Sequence, residues 1–203
     1  MDIALSLLLM FAVWQFLRVQ YQRSRIGLLG RHLANLQLER HMETLTQGYA
    51  RAIRETDESR QLQVLETFAK SERAMAGQVR ALAKSLADES ANATSMTTLS
   101  LCVPFAERFL PNAMLRDFRT LVQIHADGMT YVVDNEAGWD PKARAYHLSA
   151  ELYLLQHSCH WFCKSRAVAD ARLMLRHQVN HQKVLASVSD VTREPYQHWL
   201  RGG

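Results

Sequence analysis

Proline and glycine are scarce: four and eight in 203 residues, with no proline before Pro104. Ala, Leu, Gln, Arg and Glu are frequent instead, so the chain reads as all-α. Strand signals are nearly missing too. Residues 130–133 (TYVV) form the one strand-like stretch. It has no evident partner and is expected to be absorbed into helix or loop. The cysteines number three, Cys102, Cys159 and Cys163, an odd set that does not build a disulfide framework and fits reduced thiols. No Gly-rich phosphate loop, H-E-x-x-H or Gly-x-Ser-x-Gly occurs. No catalytic residue is assigned on the sequence, and an enzyme is not expected. No internal repeat or low-complexity tract is visible.

Excess charge is absent from most of the chain as well. The formal net charge is +4 and the pI about 9.1. Residues 1–54 hold seven arginines against three acidic residues, and the remainder balances at 17 of each sign. A nucleic-acid surface would lie on the folded domain, so no nucleic acid is expected as a partner.

What is present is a long hydrophobic run at the start. Residues 3–17 read IALSLLLMFAVWQFL, without a charge. Arg18, Arg23, Arg25 and Arg31 follow. With Arg18 snorkelling, residues 3–19 reach the lower length limit of about 17 for a membrane-spanning helix. Trp14, Arg18, Tyr21, Arg23 and Arg25 are the expected membrane-interface residues, the arginines facing anionic lipid. Asp2 precedes the run and no small-x-small site follows it, which argues against a cleaved signal peptide. A buried core helix and a helix lying flat on the bilayer are the remaining alternatives. Basic residues near a span stay cytoplasmic, so the expectation is a single-pass protein with its N-terminus outside and its C-terminal domain in the cytoplasm.

Helical periodicity continues beyond the anchor and its basic flank (1–24). Leu38, Met42, Leu45, Tyr49 and Ile53 form one apolar stripe; Leu65, Phe68, Met75, Val79, Leu82 and Leu86 form another. They predict a helical stalk or coiled-coil hairpin over 25–87, with Gly27 and Gly30 as a hinge. The polar cluster at 56–59 favours a turn there. Residues 88–103 (DESANATSMTTLSLCV) begin with small polar residues and read as a linker. A small helical bundle is expected over 104–192. Asn112 would cap a helix carrying Leu115, Phe118, Val122 and His125. Asp140-Pro141 starts a helix running to about Lys164, and another spans about 167–189. Residues 193–203 read as a polar tail.

Histidines concentrate in the last two long helices. His157-x-Cys159-His160-x-x-Cys163 and His177-x-x-x-His181 offer zinc-type donors at helical spacing. His157, His160, His177 and His181 are therefore candidate metal ligands, with zinc as the cofactor. Against this, Cys159 and Cys163 fall on an apolar face, where cysteine packs as a small hydrophobe. Buried histidines more often bond to a neighbouring helix. The function expected from these features is a membrane-tethered scaffold acting by protein–protein binding, with self-association through the heptad stripe. The alternative is a metal- or pH-responsive sensor or enzyme using the His/Cys residues. A membrane-perturbing effector is the third class.

Overall fold

The computed structural model describes residues 2–202, apart from the side chain of Asp2. The terminal amine and the Asp2 carboxylate, which bear on orientation, lie outside the described residues. The fold is all-α: 78 % helical, with ten α-helices and one small two-stranded sheet among the described residues.

Helix α1 (Asp2–Leu33) is continuous for 32 residues. It runs unbroken through Gly27 and Gly30, so the expected hinge is not used. It is long and apolar enough to cross a membrane.

The two apolar stripes turn back on each other as a hairpin of three helices: α2 (Leu38–Ala52), α3 (Glu58–Glu66) and α4 (Ala69–Ala87). The break falls at the polar cluster, because the Asp57 carboxylate accepts from the Arg60 amide at 2.9 Å and starts α3. Gly48 is required by packing. A Cβ there would sit 2.3 Å from the Phe68 ring, which also meets Tyr49 edge-on at 5.6 Å.

Residues 88–103 are more ordered than a linker. Ser90 caps the short α5 (Ala91–Thr94). Strand β1 (Ser95–Thr97) then pairs antiparallel with β2 (Leu115–Asp117), Met96 opposite Arg116. The expected cap at Asn112 is displaced to Asp117, which accepts from the Arg119 amide at 2.9 Å and starts α6 (Phe118–Asp134). Residues 130–133 lie inside α6, as anticipated.

Asp140 and Pro141 start α7 (Pro141–Cys163) as the sequence indicates, with the Asp140 carboxylate accepting from the Ala143 amide at 2.8 Å. The expected helix over 167–189 is two helices. The first, α8 (Arg166–His177), ends where Gln178 adopts a left-handed φ of 54°. Asn180 then caps α9 (His181–Ser187) by accepting from the Lys183 amide at 2.9 Å. The expected polar tail forms α10 (Asp190–Arg201), which buries Tyr196 and Trp199.

α6 and α7 lie at the centre. α4 and α10 pack against α6, and α2, α3, α8 and α9 pack against α7. Phe118 and Phe162 stack between α6 and α7 with ring centroids 4.1 Å apart. One hydrophobic cluster runs from Leu28 in α1 through Leu45, Val79, Leu121 and Leu152 to Trp199. The hairpin is thus folded onto the bundle and shares its core. Each large apolar side chain buried there contributes about 1.5–3 kcal/mol of transfer free energy. One ion pair is enclosed with it. The Tyr49 hydroxyl donates to Glu72 at 2.6 Å, and Arg144 of α7 lies 3.2 Å from the other carboxylate oxygen.

Candidate functional site

Two regions hold polar groups that packing alone does not require: the base of α1 and the centre of the bundle. In the first half of α1, Ile3, Leu5, Leu7, Leu8, Leu9, Met10 and Phe11 are each more than half exposed. Their positions cover the whole circumference of the helix. From Gln22 onward one face turns inward: Gln22, Arg25, Leu28 and Leu29 are buried.

Arg25 is the centre of that contact. Its guanidinium donates to the Phe162 carbonyl at 3.1 Å and to the Ser95 carbonyl. It also lies over the rings of Tyr21 (4.4 Å) and Phe162 (4.7 Å). Phe162 belongs to the last turn of α7, where unpaired carbonyls and the negative end of the helix dipole favour a cation. Gln22 donates to the Lys164 carbonyl at 3.4 Å, and the Lys164 ammonium donates back to Gln22 at 3.2 Å. The Tyr21 hydroxyl donates to Glu107 at 3.2 Å. Of the five expected interface residues, Trp14 and Arg23 are exposed and Arg18 is partly buried, whereas Tyr21 and Arg25 face protein. For Arg25 this corrects the expectation of a headgroup contact. Its charge closes the end of α7 instead.

The bundle centre holds a chain of histidines. His157 is 1 % exposed, and its Nε2 lies 2.8 Å from Asp170 of α8. Its ring is 4.5 Å from that of His181. The His181 Nε2 is 2.9 Å from the Tyr196 hydroxyl, and Ser158 lies beside Tyr196. Ser158 completes the path, with its Oγ 2.9 Å from Nε2 of the fully buried His125. Burial, reinforced by His157, holds His125 down at about 3. Burial and the neighbouring His157 bring His181 to about 4. His157 is lowered by burial in spite of Asp170, which acts the other way. These imidazoles are neutral at ordinary pH.

Glu151, also on α7, is 0 % exposed. It accepts from the Ser189 amide at 3.1 Å, the Ser189 hydroxyl at 2.9 Å and the Thr192 hydroxyl at 2.8 Å. A carboxylate from another helix thereby serves the first turn of α10. Gly128 of α6 permits the approach, since a Cβ there would fall 1.6 Å from the Thr192 hydroxyl oxygen. Burial raises Glu151 from 4.5 to about 7, against the lowering effect of those hydrogen bonds.

The four candidate metal ligands are thus dispersed among separate partners. His157 and His181 are neighbours, but each has its own bonding partner. His177, at the end of α8, stacks on Tyr153 at 3.9 Å and bonds Gln156 at 2.9 Å. His160 is partly buried; burial, followed by Arg172, lowers it to about 4. Burial raises the Cys159 and Cys163 thiols to about 12 and about 11, which disfavours the thiolates that bind metals. Among the described residues no group of three or more His, Cys, Asp or Glu is placed to hold a metal ion. Sequence reasoning missed Glu151, Ser158 and Tyr196. The one available signal was a lone acid flanked by Ala150 and Leu152, on the helix that also carries Leu148 and Leu155. No family model, curated protein or solved structure matches the chain.

Proposed function

We propose that this protein is a membrane-tethered helical platform that acts by binding other proteins. The first half of α1 crosses the bilayer, and the folded domain is held at the cytoplasmic face. The observation carrying this reading is the contrast within α1. The large apolar side chains of residues 3–17 are exposed around the whole helix, whereas Gln22, Arg25, Leu28 and Leu29 are buried against the domain. A helix lying flat on a membrane keeps one polar face. A helix apolar all round belongs inside lipid. The buried Arg25 contact makes the tether rigid at its point of entry. A domain so held meets membrane-associated partners at raised effective concentration without needing a strong interface. Binding is favoured over catalysis because the buried His125–Ser158 pair is 0 % exposed and offers no access to a substrate.

Alkaline carbonate extraction of membranes from cells making the full chain tests the reading. The protein is expected in the pellet, and Leu8→Asp with Phe11→Asp moves it to the supernatant while residues 21–33 remain folded. Wild-type protein in the supernatant would overturn the tether. A protease added to intact, sealed cells is expected to spare the C-terminal domain; digestion there would overturn the orientation.

A further inference from the structure

The loop between β1 and β2 brings a second apolar feature to the base of α1. Cys102, Pro104 and Ala106 are buried against the domain. Leu101 and Phe109 point the other way, 70 % and 79 % exposed. Phe105 produces this division. Its left-handed φ of 56° turns the chain, and its ring is held edge-on to Tyr21 at 5.3 Å with the Arg108 guanidinium 5.2 Å away. The exposure of Leu101 and Phe109 is therefore imposed by a fixed backbone.

The position of the loop along α1 identifies what covers it. Phe105 and Glu107 touch Tyr21, and the Cys102 thiol lies beside Gln22 and within the field of Arg18. Tyr21 is four residues beyond Leu17, about 6 Å along the helix axis. The headgroup layer on one side of a bilayer is about 5–7 Å deep. If residues 3–17 occupy the hydrocarbon, the loop lies at headgroup depth. Its charge agrees with that place. Arg18 and Arg108 lie at the loop, and its one acid, Glu107, is engaged by Tyr21.

We propose that this loop is a second contact with the bilayer, in which Leu101 and Phe109 insert among the lipids and Arg108 meets anionic headgroups. The proposal rests on the membrane reading of α1. It implies two points of attachment, so the domain keeps one face toward the bilayer and its opposite face free for partners.

Photo-crosslinking separates the two claims. A diazirine-bearing amino acid replaces Phe11, Leu101, Phe109 or Tyr146, one at a time, in the full chain reconstituted into vesicles of mixed zwitterionic and anionic phospholipid. Tyr146 is an exposed control sixteen residues before Phe162 on α7, about 24 Å from the α1 contact. Lipid adducts are expected at positions 11, 101 and 109 and not at 146. Adducts at 11 alone overturn the loop contact and leave the tether standing. No adduct at 11 overturns the tether and the loop contact with it. Crosslinks from 101 or 109 to a second protein chain in place of lipid also overturn the loop contact, and so do equal adducts at 146.

Discussion

Glu72 of α4 and Glu151 of α7 are both buried, at 2 % and 0 % exposure, but only Glu72 has a counter-charge. Arg144 and the Tyr49 hydroxyl take one oxygen each of Glu72. Glu151 has hydroxyls, one amide and no cation. The same chemical group therefore meets two solutions. Beside Arg144 the carboxylate has a cation within 3.2 Å. Beside Ser189 and Thr192 burial shifts it toward the neutral acid. The histidines near Glu151 follow the second pattern. The hairpin end of the bundle is thus fastened by charge and the α6–α7–α10 centre by neutral hydrogen bonds.

Removing Arg144 should break this contrast most severely. Arg144→Met leaves the Glu72 carboxylate enclosed without a cation, and losing one partner of a buried pair costs about 3–5 kcal/mol. Denaturant unfolding should show that loss, and adding Glu72→Gln should restore a large part of it. A single variant as stable as wild type would mean that Glu72 does not depend on its cation, and the distinction from Glu151 would disappear.

The next effect is pH dependence. Glu151 is raised in the folded state from 4.5 to about 7. The folded protein then holds this proton more tightly than the unfolded chain. The resulting stabilisation is complete below about pH 4.5 and is lost as pH rises through about 7; the shift bounds it at about 3 kcal/mol. His125 and His181 have the opposite sign. Their folded values, about 3 and about 4, lie below the ordinary 6.5, so they stabilise above pH 6.5 and that contribution is lost toward acid. Glu151→Gln isolates the first process. Relative to wild type it should gain stability steadily across the window from pH 4.5 to 7. A stability difference that does not change with pH would show that burial does not raise Glu151.

Much of the helical order was legible because local signals fix it. The run over residues 3–17, the polar cluster at 56–59 and the Asp140-Pro141 start all act within a few residues. What was illegible depends on distant groups or on single-residue geometry. Gln178 ends α8 with a left-handed turn that neither Gly nor Pro announces. The strands β1 and β2 are three residues each, too short to show a period. Arg25 looked like a headgroup ligand because its acceptor, the Phe162 carbonyl, lies 137 residues away. His157 and His181 stand among the four candidate ligands, but the sequence spacing pairs His181 with His177. The bonding partners of His157 and His181 are not legible, since nothing in the sequence marks the break at Gln178 and residues 193–203, which include Tyr196, read as a polar tail. His125 could be placed on the apolar face of its helix, but its bond to Ser158 needed α6 and α7 to be packed together.

The smallest expected effect probes the boundary between the two patterns. His157 touches Asp170, and a reader of distances alone would class them with Glu72 and Arg144. Asp170 is 46 % exposed, however, and burial keeps His157 low in spite of it. A neutral imidazole donates one N–H to the carboxylate, and the amide oxygen of asparagine accepts the same bond. Asp170→Asn should therefore cost less than about 1 kcal/mol at neutral pH, the range of solvent-exposed pairs. Because Asp170 raises His157, its loss should lower the imidazole further, which histidine NMR titration would show as a shift toward acid. A loss as large as that from Arg144→Met would instead mean that His157 is a cation held by its carboxylate, and the charged pattern would then extend into the bundle centre.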